Sequence, residues 1–367
     1  MLSSSLAVLH VDSAREYRGG QNQARLLMAG LAGRPGIRQA LVACSDSRLS
    51  REAAALGVRV HAARWRPALD PQAVSELRDR LREDWDVVHA HDGHALQAVL
   101  LARAITGSAS PVVASRRVDF RIGRPFVWQR ANLILGVSRR IRDVLVAQGI
   151  DRRRVEVVYS GIDPNEVARD PATPEARTLR LAGTGGGGGI LVASVGALVG
   201  PKDHATFVRA AAVLARRHTD ARFAVFGEGP ERSALERLIE EHGLDGRFRL
   251  PGWFRDAAVG LGGIDVFVMP SRQEGLGTAC LEAMLAHRPV VATSAGGLGE
   301  LAVDGAFRPV PPGDPAALAA AIEPLLADDA GRARAGDAAR HGARRFTAGA
   351  MVDGTLRAYR ALLASGR

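Results

Sequence analysis

The sequence predicts an α/β protein made of two doubly wound halves. Three observations predict it. Short apolar runs alternate with longer stretches of helical periodicity along all 367 residues. The alternation breaks once, at a Pro- and Gly-rich stretch near the middle, and then restarts. The length suits two domains of ordinary size, and 47% hydrophobic residues are ample for two buried cores.

In the first half the short apolar runs are Leu6–Val11, Gln39–Ala43, Val58–His61, Asp86–His89, Pro111–Ala114, Leu133–Val137 and Val155–Tyr159. Each is too short for a helix and reads as a strand. Between them, Gln21–Ala32, Asp70–Glu83, His94–Ala104 and Arg139–Gln148 read as helices. Strands apolar on both faces and separated by helices imply a parallel sheet. Asp170-Pro-Ala-Thr-Pro174 and the run Ala182–Gly189 follow, and the glycines read as a flexible surface loop. After it come strands Ile190–Val195, Arg222–Phe226, Phe248–Leu250, Asp265–Met269 and Val290–Thr293. They alternate with helices His204–Arg217, Glu231–His242, Thr278–Ala286, Pro315–Ala327 and Ala330–Arg340. This divides the chain into domains 1–175 and 176–345, with a last helix, Ala348–Leu363, that caps the second or straps back onto the first. Two such units are expected to hold ligands in a cleft at the carboxyl ends of their strands.

The charge of +10 is uneven. Residues 1–180 carry 28 arginines against 19 acidic residues, a net +9, and the remainder is nearly balanced. A basic first half suits an anionic partner: a phosphorylated substrate, a phospholipid surface or a nucleic acid. Aromatics at 5%, not interleaved with arginines, argue against nucleic acid. Cys44 and Cys280 match no metal or redox spacing and read as buried apolar residues of a reducing compartment. Neither a signal peptide nor a membrane span is expected, so the chain reads as cytosolic, able to sit on the inner face of a membrane.

Of 49 basic residues only one is a lysine, Lys202, just after an apolar strand and a glycine turn. A compact ammonium on a flexible stem reaches between phosphate oxygens, so Lys202 is the first candidate for a bound phosphate. The strongest segment is Met269-Pro-Ser-Arg-Gln-Glu-Gly-Leu-Gly-Thr-Ala-Cys-Leu-Glu-Ala-Met284. There a polar loop carries Glu274, and Gly275-Leu276-Gly277 opens a helix at Thr278, where bare backbone N–H groups favour an anion. Glu282, further along that helix, is expected to face the same side as Glu274. Both carboxylates suit sugar hydroxyls better than phosphate. Gly227-Glu-Gly-Pro230 and Gly296-Gly-Leu-Gly-Glu300 are weaker strand-end loops. Near the N-terminus Gly19-Gly20 stands where a doubly wound unit carries its anion loop, without the full Gly-x-Gly-x-x-Gly spacing. His89, His91 and His94 invite a zinc reading, but the spacing does not match a His-Glu-x-x-His helix, and no metal is expected. Instead His91, Asp92, Arg116 and Arg117 are read as polar lining at the strand ends.

In this order and spacing the chain resembles the retaining glycosyltransferases of the GT-B fold, family 4 (group 1). The resemblance rests on Gly19-Gly20, Val137-Ser138, Val157–Asp163, Val195–Asp203, Gly227–Pro230 and Leu250–Gly252. Its most specific part is Glu274-Gly-Leu-Gly with Leu281-Glu-Ala-Met284, Pro289–Ala292 and Gly296–Glu300, the two glutamates separated by seven residues. The resemblance implies that Gly196, Lys202 and Gly227 border the donor diphosphate. It implies that Glu274, with the backbone of Gly275, Leu276, Gly277 and Thr278, takes the transferred sugar and distal phosphate. Glu282 would take the ribose, and Gly252 and Trp253 the base. Gly19 and Gly20 would let their loop approach the phosphates or the acceptor. Three departures stand out: Ala197 where the family has an arginine, Arg116 or Arg117 near a family histidine, and Ser160 in place of an asparagine.

The implied reaction is metal-independent transfer of a sugar, with retention, from a UDP- or GDP-sugar, a substrate rather than a cofactor. The acceptor would be a hydroxyl of a glycan, lipid-linked or lipopolysaccharide-type molecule. The leaving phosphate oxygen would take the acceptor's proton. A nucleotide-sugar 2-epimerase of the same architecture and a non-catalytic nucleic-acid-binding protein are the alternatives.

Overall fold

A computed structural model of the chain describes residues 5–65, 70–167, 170–254 and 257–366. Two compact units form: one from residues up to Gly161 together with the segment from Ala348, the other from Ile162–Thr347.

In the first unit, strands and helices follow the alternation read from the sequence. They are β1 (Leu6–Val11), α1 (Gly19–Ala32), β2 (Ile37–Cys44), α2 (Arg48–Ala55), β3 (Arg59–Ala63), α3 (Pro71–Arg80), β4 (Val87–Ala90) and α4 (Gly93–Thr106). They continue with β5 (Val112–Arg116), α5 (Pro125–Trp128), β6 (Leu133–Gly136), α6 (Arg139–Ala147) and β7 (Val155–Val157). The sheet is parallel in the order β3-β2-β1-β4-β5-β6-β7. The strand order therefore reverses between β1 and β4, the position where such sheets leave room for a ligand. Helix α2 was not expected. Ser47 caps it by accepting from Ser50 N–H, and Leu49 and Ala53 pack against α1 and β2.

The second unit runs α7 (Pro174–Thr184), β8 (Leu191–Val195), α8 (His204–Ala215), β9 (Arg222–Phe226), α9 (Arg232–Glu241), β10 (Phe248–Gly252) and α10 (Ala257–Gly260). Then come β11 (Val266–Met269), α11 (Thr278–Leu285), β12 (Val290–Ala292), α12 (Pro315–Ala327) and α13 (Asp329–Ala343). Its parallel sheet has the order β10-β9-β8-β11-β12, reversing between β8 and β11. A core centred on Phe207, Phe223 and Phe248 lies against it.

Helix α7 alters the reading of the junction. Thr173 caps it, Pro174 opens it, and Gly183 lies within it, against Leu191 and Phe226. The expected glycine loop therefore shortens to Gly185–Gly189, of which Gly185–Gly188 are exposed. Because α7 packs on β8, β9 and β10, the first boundary falls at Gly161 and not at residue 175.

The last helix, α14 (Ala348–Ala364), belongs to the first unit. Met351, Val352, Leu356, Tyr359 and Leu362 bury against Leu27 and Leu31 of α1 and Val113 of β5. At Gly30 an added Cβ would stand 2.5 Å from Val352, so the α1–α14 contact needs a glycine there.

Candidate functional site

In the second unit, the candidate residues gather at the carboxyl ends of β8 and β11, on either side of the strand-order reversal. Lys202 ends a short 3-10 turn, Gly200–Lys202, that follows β8. Its aliphatic stem crosses Gly196, where an added Cβ would touch Lys202 Cε at 3.7 Å. The amine donates to Oε2 of Glu274, and both side chains are largely shielded, at 25% and 16% exposed.

The loop carrying Glu274 is held by its backbone. Arg272 N–H and Gln273 N–H donate to Pro201 O at 2.8 and 3.2 Å, and Gly297 N–H donates to Glu274 O at 2.9 Å. Close approach of loops requires glycine at two places. A Cβ at Gly297 would meet Gly275 O at 2.1 Å, and one at Gly227 would meet Gly196 O at 1.9 Å. The N-cap of α11 is Gly277, at φ +95°, with no side chain to accept from the helix's first N–H groups. Those groups are therefore left for a ligand.

Glu282, five residues into α11, has its carboxyl pushed up to about 7 by burial, with the charge of Glu166 adding to the effect. Trp253 is 63% exposed just past Gly252, which closes β10 at φ +94°. Beside it Glu228 pairs with Arg232 at 2.7 Å.

Ala197 leaves only a carbonyl at its position, in contact with His204 Nε2 at 3.2 Å. Burial, and then the charge of Lys202, hold His204 down at about 4, so it is neutral. The other cation on these loops is Arg272, which sequence reasoning missed. Its Nε donates to Oδ2 of Asp203 at 2.7 Å. Asp203, in the left-handed region at φ 47°, also caps α8 through Thr206.

In the first unit, Gly19 and Gly20 open α1, and His91 and Asp92 follow β4. They meet around a carboxylate the sequence did not single out, Asp12. It is fully buried and accepts from Ala14 N–H at 2.9 Å and from the Gln21 amide. Burial, followed by the charge of Asp92, raises it to about 7, against the opposing pull of Ala14, Gln21 and Arg117. The Gln21 carbonyl oxygen accepts from Arg18 N–H, so the amide ties the glycine turn to Asp12. Asp92 caps α4 through His94 and Ala95 N–H and takes the Ser13 hydroxyl at 2.7 Å. Arg117 lies over Gly20, with its Cδ 3.6 Å from an added Cβ.

Two expectations change here. Arg116 does not join this group: its guanidinium lies over the Phe120 and Trp128 rings and donates to Phe120 O at 2.5 Å. His94 is exposed at the start of α4, and His10 takes its place beside His89 and His91, because β1 and β4 pair with His10 opposite His89. The three imidazoles are buried and held by hydrogen-bonding contacts. His10 meets His91 at 3.0 Å and Gln39 at 3.2 Å, and His89 meets Tyr359 at 2.6 Å and Ser115 at 2.8 Å. Burial lowers all three, so they are neutral near pH 7.

A lysine, a glutamate and an uncapped helix at a strand-order reversal suit a phosphorylated sugar, and comparison with known proteins decides the family. Residues 17–166 match the family model described as Glycosyltransferase Family 4, and residues 189–328 the model described as Glycosyl transferases group 1. The 2-deoxystreptamine glucosyltransferase of Streptomyces kanamyceticus is 33% identical over 278 residues, 68% of this chain and 71% of that protein. The chain is a family 4, group 1 glycosyltransferase.

Such a glycosyltransferase uses a nucleotide-sugar donor. Another relative is the lipopolysaccharide core biosynthesis glycosyltransferase LpsE of Rhizobium meliloti. It is 36% identical over 145 residues, 39% of this chain and 42% of LpsE. Among solved structures, Anabaena HepE in complex with UDP and glucose superposes with a TM-score of 0.82 at 20% identity, covering 96% of this glycosyltransferase and 99% of HepE. This likeness shows the GT-B fold. Among the described residues, no helix is long and apolar enough to cross a membrane.

Proposed function

We propose that this glycosyltransferase moves a sugar from a uridine or guanosine diphosphate sugar to an acceptor hydroxyl, with retention and without a metal. The observation that carries the donor side is the pairing of Lys202 with Glu274 beside the uncapped start of α11. Departure of the diphosphate develops negative charge, and stabilising it is the main electrostatic task. Lys202 and the N–H groups of Gly277 and Thr278 supply positive charge at that point. Glu274 accepts from hydroxyls of the transferred sugar, Glu282 from the ribose, and the Gly252–Trp253 turn borders the base. The complex of HepE with UDP and glucose supports uridine as the base. Retention fits a reaction on one face, where the leaving phosphate oxygen takes the acceptor's proton.

The acceptor side lies in the first unit, with Gly19, Gly20, His91, Asp92 and Arg117 as its candidate residues. Its arginine excess favours an acceptor that is phosphorylated or borne on an anionic membrane, as in lipid-linked saccharides and lipopolysaccharide cores. The likeness to LpsE supports that class, whereas the S. kanamyceticus relative is a 2-deoxystreptamine glucosyltransferase.

Two experiments test this. Lys202→Ala should lower turnover at least ~100-fold, the scale of one lost charge-stabilising group, with an unchanged thermal unfolding profile. Near-normal turnover would refute the donor assignment. In liposome flotation, the protein should rise with vesicles containing phosphatidylglycerol and stay down with phosphatidylcholine alone. Absence from both fractions would remove the membrane-borne acceptor class.

A further inference from the structure

The Lys202–Glu274 pair has an unusual property for two ligand-binding groups: each occupies the other. Among the described residues the amine's hydrogen-bond partner is Glu274 Oε2, and the same oxygen also meets the Ser271 hydroxyl at 3.5 Å. His204 is neutral and Arg272 is committed to Asp203 through Nε. The backbone bonds from Arg272, Gln273 and Gly297 hold the loop around Glu274 where its carboxylate meets the amine. A diphosphate that takes Lys202 therefore competes with a carboxylate already in place.

We propose that Glu274 is the resident anion on Lys202 in the donor-free enzyme, and that donor and product bind by displacing it. This rests on the donor-site reading above. A nucleoside diphosphate alone displaces Glu274 and leaves a shielded carboxylate whose remaining side-chain partner among the described residues is Ser271, which costs binding free energy. A nucleotide sugar displaces it too, but its sugar hydroxyls then donate to the freed carboxylate and offset that cost. The exchange thus favours the sugar-bearing donor over the free diphosphate product. After transfer, Glu274 returns to Lys202 and promotes product release. A carboxylate that only contacted the sugar would leave diphosphate affinity alone. One that only supported the loop would, on removal, weaken both ligands together.

The test is titration calorimetry on the wild type, Glu274→Gln and Lys202→Ala. The probes are inorganic pyrophosphate, UDP and UDP-glucose, with GDP and GDP-mannose run alongside. In Glu274→Gln, affinity for pyrophosphate and for the nucleoside diphosphate should rise at least fivefold, while affinity for the matching nucleotide sugar falls or stays the same. Opposite movement of the two ligands is a result that loss of folding cannot produce. Unfolding temperatures of the variants within a few degrees of the wild type complete the control. If Glu274→Gln leaves diphosphate affinity unchanged or weakens it, the exchange is overturned. If Lys202→Ala binds the diphosphate as tightly as the wild type, the donor-site reading fails and the exchange with it. If Lys202→Ala loses the diphosphate but Glu274→Gln gains none, only the exchange fails.

Discussion

Asp12 shows how much one side chain can set in a Rossmann-like unit. It directly follows β1, lies wholly inside, and is raised from 3.8 to about 7 by burial and then by Asp92. The folded state therefore holds the Asp12 proton more tightly than the unfolded chain does. In the window between the two values the unfolded chain has lost that proton and the folded state keeps it. Stability consequently falls as pH rises from about 4 to about 7, and the loss is complete above that. Asp12→Asn removes the ionisation while keeping the volume. Relative to the wild type, the variant should gain stability between pH 5 and pH 8, because over that range the wild type loses the contribution of the Asp12 proton. Denaturant titrations at both pH values measure it, and a pH-independent difference would refute the assignment of this titration to Asp12. In the second unit Lys202 and Glu274 are the corresponding charges, and they pair with each other.

At the scale of elements, the site is made by loops that approach closer than side chains allow. The turn after β9 passes Gly196 so closely that a Cβ on Gly227 would stand 1.9 Å from its carbonyl oxygen. The turn after β12 does the same to Gly275 through Gly297. Gly227→Ala must push the β9 turn away from the Lys202 loop. It should raise the KM for the nucleotide sugar and cost about 1–3 kcal/mol of stability, the range for overpacking a close contact. The contrast is Gly188→Ala, in open space on the surface loop, which should change neither. Steady-state kinetics with denaturant unfolding separates the two. Helix α11 follows the same logic: Gly277 adopts φ +95° and leaves the helix start bare, which a side-chain cap would have covered.

For the molecule as a whole, the chain order and the spatial order differ at the C-terminus. Helix α14 follows the second unit in sequence but completes the core of the first, and Tyr359 reaches His89 inside it. A chain ending at Thr347 would expose the α1 face that covers Met351, Val352, Leu356 and Leu362. At about 1.5–3 kcal/mol for each buried large side chain, that loss approaches the 5–15 kcal/mol of a whole domain. Limited proteolysis of the truncated chain should degrade the first unit, with fragments from 162–347 surviving longer. Equal resistance of both would show that α14 is dispensable.

The alternation of apolar runs and helices was legible along the sequence, because strands buried on both faces carry a local signal. So was the candidate segment in which Lys202, Glu274 and Gly277 stand on short loops and Glu282 on the helix that follows. Helix α7 was not legible, since Gly183 within it and Gly185 at its C-cap read as loop until Leu191 and Phe226 packed against the first of them. Nor was the grouping of His10 with His89, which follows from the register of β1 on β4 and not from spacing. Whether Arg116 faced a ligand or an aromatic pair depended on Phe120 and Trp128, four and twelve residues on. By itself the sequence determined the fold class and the family, because these depend on local pattern and motif order. Only the tertiary structure decided which unit owns α14, that Asp12 is buried, and that Lys202 is occupied by Glu274. Those depend on contacts between residues distant in the chain, whose free energy no local stretch of sequence contains.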